Sequence, residues 1–242
     1  MIKSCDNRPQ EVWLLAGQSN MIGYGPKGSE LTPEWKKSPV NVLIYSGEKW
    51  EPMMPADGGF GAEIGFGHVM AAAFPETDIL LIKPLFGLGN LYDDWRSPNA
   101  GRGEAGQHYS ALMAIVQKAM SSRPAAKIVG ILWMQGEGDA HNDLVKATSY
   151  ERNLTLFIES LRQDLHAPSM PFVLGKITRS KTWVYSAIVR EAQERVAASV
   201  AGTVQFDTDD LSLVDDGIHY DSAGSIELGR RFARSAIGLI GR

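Results

Sequence analysis

Cysteine is nearly absent: Cys5 is the one thiol in 242 residues. An intrachain disulfide is excluded, and so is a cysteine-built metal site. Long hydrophobic runs are missing as well. No stretch approaches the roughly 20 apolar residues needed to cross a bilayer, so no membrane partner is expected. Positive charge is not in excess, since 24 Lys and Arg face 28 Asp and Glu for a net charge of −4. The basic residues form no cluster, which excludes a nucleic-acid footprint. There is no His-Glu-x-x-His pattern. The glycine-rich stretches at 58–67 and 87–89 lack the Gly-Lys-Ser/Thr of a phosphate-binding loop. No metal and no cofactor is therefore expected.

The N-terminal stretch Met1–Pro9 holds no apolar run of signal length. The expected compartment is the cytoplasm unless a leader has been removed, and residues 1–10 read as a flexible arm carrying Cys5. Hydrophobic residues make up 44% and charged residues 21%, the balance of an ordinary soluble fold. A chain of this length can bury a sizeable core without staples, and it reads as one domain over 1–242. No oligomeric state is implied.

Short apolar runs alternate with segments of helical period. Val12–Ala16, Val40–Tyr45, Ile79–Leu85, Lys127–Met134, Pro171–Ile177 and Val204–Phe206 read as six buried strands. Segments at about 62–74, 107–122, 146–165, 183–199 and 222–240 read as helices. In the third of these, Leu154, Phe157, Ile158, Leu161 and Leu165 recur at helical spacing. Such alternation predicts an α/β fold with a mostly parallel central sheet covered on both faces. In sheets of this kind the site lies at the carboxyl ends of the strands.

Polar, glycine-flanked clusters follow three of the strands. They are Gly17-Gln18-Ser19-Asn20-Met21, Gln135-Gly136-Glu137-Gly138-Asp139 and Asp215-Asp216-Gly217-Ile218-His219. A serine hydroxyl becomes a nucleophile only when a base takes its proton. Ser19 is the candidate, although Ser19 or Asn20 in this position also suits a helix cap. His219 stands out from His68, His108, His141 and His166 because Asp216 precedes it by three residues in a glycine-containing loop. A carboxylate there can accept the imidazole Nδ1–H and leave Nε2 for the nucleophile. The competing reading is a solvated Asp216 beside a helix capped by Asp221 or Ser222. Acyl transfer further needs donors aimed at an oxyanion. The candidates are the Ser19 N–H, the Gly61 N–H at a helix start, and the Gln135 side-chain amide.

The blocks 17–21, 133–139 and 216–219 resemble those of the SGNH hydrolase superfamily. More narrowly they are similar to its sialate O-acetylesterase-like branch, which also holds acetylxylan esterases. The resemblance spans residues 11 to about 235. It implies a three-layer α/β/α sandwich of flavodoxin-like kind, with Ser19, Asp216 and His219 catalytic. It also implies an oxyanion hole of Ser19, Gly61 and Gln135, with Gln135 where other SGNH hydrolases carry asparagine. Gln18, Asn20, Glu137, Lys83 and Trp95 become supporting or substrate-binding candidates. Glu137 either braces its loop, orients a cleft residue or replaces Asp216 as the histidine's partner. Trp95, beside Asp94 and Arg96, either offers a ring to a sugar or packs beneath its loop. The family's Gly-Gly-Thr-Ser-Leu is here Gly87-Leu88-Gly89-Asn90-Leu91, a departure that bears on specificity. The expected function is removal of O-acetyl groups from an acetylated carbohydrate. The alternatives are a general short-chain carboxylesterase and a carbohydrate-binding module without turnover.

Overall fold

The computed structural model describes residues 8–241. Cys5 and most of the expected N-terminal arm lie outside the described residues. Residues 8–10 are not an arm: the Asp78 N–H donates to the Pro9 carbonyl at 2.9 Å, and Gln10 opens the first strand.

Seven strands form one sheet. They are β1 (Gln10–Gly17), β2 (Val42–Tyr45), β3 (Trp50–Pro52), β4 (Asp78–Ile82), β5 (Lys127–Met134), β6 (Phe172–Gly175) and β7 (Thr203–Phe206). Their order is β3-β2-β4-β1-β5-β6-β7. All neighbours pair in parallel except β2 and β3. The helices are α1 (Ser19–Ile22), α2 (Glu63–Ala73), α3 (Gln107–Ser121), α4 (Glu137–Ala140), α5 (Leu144–Asp164), α6 (Ser186–Ser199) and α7 (Ser222–Ile240).

Alternation along β1 divides the core in two. Val12, Leu14 and Ala16 face one cluster with Leu112, Tyr150, Leu154, Phe157 and Val189, which come from α3, α5 and α6. Trp13 and Leu15 face the other, with Ile64, Phe66, Leu228 and Phe232 from α2 and α7. A strand buried on both faces must be apolar throughout, which is why β1 reads as a continuous run. The result is the expected three-layer α/β/α arrangement. Helices α2 and α7 meet backbone to backbone: a Cβ at Gly229 would lie 2.1 Å from the Ala62 carbonyl oxygen.

All six expected strands are present, and the five helical segments match α2, α3, α5, α6 and α7 closely. The differences are local. β2 begins at Val42, because Val40 is 89% exposed beside Pro39. β4 stops at Ile82, ahead of Pro84, where Lys83 turns aside to pair with Glu63. β3 is an added antiparallel edge strand of three residues, too short to show alternation. On one side of β1 the chain visits β2, β3 and then β4, and it crosses to the other side only for β5, β6 and β7. The crevice between β1 and β5 is therefore a switch point, where ligands bind at the carboxyl ends of the strands.

Candidate active site

The chain leaves β1 beside the end of β5. Gly17 has φ 151°, and a Cβ there would sit 2.0 Å from the Met134 carbonyl oxygen. Only glycine permits that approach. The Gln18 N–H then donates to the Met134 carbonyl at 3.0 Å. Ser19 follows as the first residue of α1, 8% exposed. Its own N–H is in the first turn and has no partner within the helix.

The residues on either side of Ser19 tie it to the other two clusters. Gln18 Oε1 accepts the Gly138 N–H at 3.2 Å. Asn20 Nδ2 donates to the Ile218 carbonyl at 3.0 Å and to Glu137 Oε1 at 3.2 Å. Asn20 Oδ1 accepts the Tyr220 N–H at 3.2 Å. Three segments far apart in sequence thus converge on the switch point.

Asp216 closes the His219 loop. Its Oδ1 accepts the backbone N–H groups of Ile218 at 2.8 Å and His219 at 2.9 Å, while Oδ2 lies 2.6 Å from His219 Nδ1. Burial opposes its charge. The bonds from the imidazole and from both backbone N–H groups outweigh that effect and hold the Asp216 carboxyl below its ordinary value. With Nδ1 engaged, Nε2 is the nitrogen left for proton transfer. Asp221 caps α7 through the Gly224 N–H at 2.8 Å, as the competing reading had it, but Asp216 beside it is bonded to His219 rather than merely solvated.

Glu137 opens α4 and is buried. Its Oε1 is held by Asn20, and its Oε2 has no hydrogen-bond partner among the described residues. Burial pushes its carboxyl up, against the bond from Asn20 and the nearby His219. The carboxylate in contact with His219 Nδ1 is Asp216, not Glu137. Asp139 secures the facing loop by accepting the N–H groups of Leu91 at 2.7 Å and Tyr92 at 3.1 Å. Burial lifts the Asp139 carboxyl to about 6, with those donors pulling it back.

The expected oxyanion donors are differently placed from one another. Gln135 is fully buried, and its Nε2 donates to Asp139 Oδ2 at 2.7 Å and to the Gly89 carbonyl at 3.3 Å. Its Oε1 accepts the Tyr150 hydroxyl at 3.2 Å. The amide must release the longer bond, to Gly89, before it can serve an incoming oxygen. The Gly61 N–H is committed: it donates to both oxygens of Glu63 at 3.0 Å. Glu63 is in turn paired with Lys83 at 2.7 Å, and Lys83 also donates to the Ile22 carbonyl at 3.2 Å. Lys83 therefore braces the end of α1 from a buried position. Gly61 does not offer a free donor, because a carboxylate two residues on reaches it first.

Of its two readings, Trp95 takes the second and packs beneath its loop. It is fully buried, with its ring edge-on to Trp133 at 5.1 Å, Phe86 at 5.3 Å and His108 at 5.3 Å. A ring enclosed by other rings has no face for a sugar. Asp94 folds the same loop internally, accepting from Asn90 and Gln107. Two contributors are not among the residues that the sequence reading singles out. Tyr150 lies on the buried face of α5 and reaches the Gln135 carbonyl at 2.8 Å. Tyr24 stacks on His219, with ring centroids 5.6 Å apart and planes at 28°. The flanking Gly23 and Gly25 were the one available hint of a fixed, projecting side chain.

A probable carbohydrate esterase from Arabidopsis thaliana is 28% identical over 249 residues, which cover 94% of this chain and 90% of that protein. A solved Arabidopsis thaliana structure superposes with a TM-score of 0.81 at 24% identity, over 95% of this chain and 98% of that one. A carbohydrate acetylesterase from Xanthomonas citri gives a TM-score of 0.72 at 18% identity, over 96% of this chain and 57% of that one. The family model described as carbohydrate esterase, sialic acid-specific acetylesterase, matches residues 9–238. The chain therefore belongs to that family of carbohydrate esterases and is a carboxylic ester hydrolase.

Proposed function

We propose that the protein removes O-acetyl groups from carbohydrates through an acyl-enzyme on Ser19. The observation that carries this reading is the clamp between Asn20 and the residues flanking His219. It holds a histidine, already paired with Asp216, against the segment that bears the serine. Ser19 Oγ attacks the acetyl carbonyl while His219 Nε2 takes its proton. The tetrahedral oxyanion is met by the Ser19 N–H and by the Gln135 amide once it leaves Gly89. Collapse expels the sugar oxygen, which receives the proton from His219. Water then attacks the acetyl-serine with His219 as base, and acetate departs as Ser19 regains its hydrogen. The Gly61 N–H takes no part, because Glu63 occupies it.

An acetyl group as the acyl half is supported by the family, by the Arabidopsis relative described as a carbohydrate esterase, and by the Xanthomonas neighbour described as a carbohydrate acetylesterase. The test is labelling by a fluorophosphonate together with acetate release from acetylated xylose. Wild type labels and releases acetate. Ser19→Ala does neither, with turnover reduced by several orders of magnitude. Undiminished labelling of Ser19→Ala, or octanoate esters cleaved faster than acetate esters, would overturn the reading.

A further inference from the structure

Tyr24 is 71% exposed, yet its backbone is fixed. Gly23 has φ 90° and ends α1, its N–H donating to the Ser19 carbonyl at 2.9 Å. A Cβ at Gly23 would lie 1.8 Å from the Phe60 carbonyl oxygen, and one at Gly25 would lie 2.6 Å from that of Tyr220. The chain on both sides of Tyr24 is thus packed against other backbone, while the ring between them stands in solvent. One face of that ring lies along the His219 imidazole. Its Cε2 edge is next to Gly87, where an added Cβ would sit at 3.9 Å, beside the Ile22 side chain, and Gly87 itself contributes no side chain there. The following residue, Leu88, is 83% exposed.

Single exposed apolar side chains are normal on a protein surface. This one differs in what it stands on. The histidine that protonates the leaving oxygen must lie within hydrogen-bond reach of it. The alcohol half of the ester is therefore bonded to an oxygen beside the very imidazole on which Tyr24 is stacked. A sugar ring offers apolar C–H groups to an aromatic surface and hydroxyls to a phenol, and such a pair gains from both.

We propose that Tyr24 is a specificity-determining residue for the leaving group, contacting the sugar ring whose oxygen His219 protonates. It takes the place that Trp95, enclosed in the core, leaves empty. The proposal rests on the reading of His219 as general acid and of a sugar as leaving group. It adds the residue that recognises that sugar.

The experiment compares kcat/KM for acetylated xylose and for ethyl acetate on wild type, Tyr24→Phe, Tyr24→Leu and Tyr24→Ala. Ethyl acetate has the same acyl group and no ring. Tyr24→Ala and Tyr24→Leu lower kcat/KM on the sugar about tenfold more than on ethyl acetate, mainly through KM. Tyr24→Phe keeps the ring and stays within about threefold of wild type on both. Equal losses on the two esters would mean that Tyr24 acts only by steadying His219 and would overturn the proposal. A sugar preference that survives Tyr24→Ala would overturn it too, while leaving the carbohydrate reading intact. A wild type with no preference for the sugar over ethyl acetate would overturn the carbohydrate reading itself.

Discussion

Asn20 grips His219 by the backbone on both sides, donating to the Ile218 carbonyl at 3.0 Å and accepting the Tyr220 N–H at 3.2 Å. The serine and histidine segments are thereby registered through one carboxamide. Asn20→Ala removes the clamp without touching substrate. It should lower kcat about a hundredfold with little change in KM, because misplacing a base by about an ångström is costly. Asn20→Asp should be worse, since it turns a donor into an acceptor facing Glu137 and the Ile218 carbonyl. Steady-state kinetics on both variants decide the matter. Effects confined to KM would move Asn20 into substrate binding.

Asp216→Asn should preserve the fold and lose roughly 10⁴-fold in turnover if the carboxylate fixes the histidine tautomer. Its pH behaviour follows from the lowered carboxyl. A depressed carboxylate contributes stability above its unfolded pKa and loses it as pH falls through the folded value. Asp216 therefore stays ionised until below about pH 4, its ordinary value, and the acid limb of kcat/KM should have unit slope down to there. A slope of two near pH 5 would contradict this. If Glu137→Gln causes the large loss and Asp216→Asn is nearly silent, the histidine's partner has been misassigned.

Glu137 has the opposite linkage. Its carboxyl is raised by burial, so it favours folding below its unfolded pKa, and that contribution is lost as pH rises through the folded one. Glu137→Gln keeps an oxygen for Asn20 Nδ2 and never ionises. The melting temperature of the variant should gain on wild type as pH is raised from about 5 to 8, which spans the region above an ordinary glutamate. Thermal melts across that range give the answer, and a difference that is flat with pH would refute the assignment.

Trp95→Ala should act on stability rather than on substrate choice. Removing a fully buried tryptophan costs about 3–5 kcal/mol. Denaturant midpoints should fall accordingly. The ratio of kcat/KM for acetylated xylose to that for ethyl acetate should hold at temperatures where the variant is folded. A selective loss on the sugar would restore Trp95 to the site.

Most of the architecture is visible in the chain because its signals are local. β1 and β5 are apolar on both faces, and α7 runs from its Asp221 cap through a periodic apolar stripe. The Asp216–His219 pair is also local, three residues apart inside one loop. What escaped were features set by partners far away in sequence. The four-residue helices α1 and α4 carry no period to read. Whether the Gly61 N–H is free depends on the rotamer of Glu63 and its pairing with Lys83. Trp95 sits among polar neighbours, Asp94 and Arg96, yet its ring turns inward to meet Trp133 and Phe157. Polarity of the flanking residues describes the loop surface, not the direction of the one large side chain.

The clamp has a consequence for how the protein is made. Its two ends, Asn20 and Tyr220, are 200 residues apart. Synthesis proceeds from the N-terminus at about 5–20 residues per second, so the serine segment leaves the ribosome many seconds before the histidine segment does. Throughout that interval Ser19, the proposed nucleophile, has no imidazole beside it and the Asn20 amide has no loop to hold. On the proposed mechanism, hydrolytic competence therefore arrives late, with the segment that follows β7. The appearance of activity in a translation reaction would report that the His219 loop has closed on Asn20.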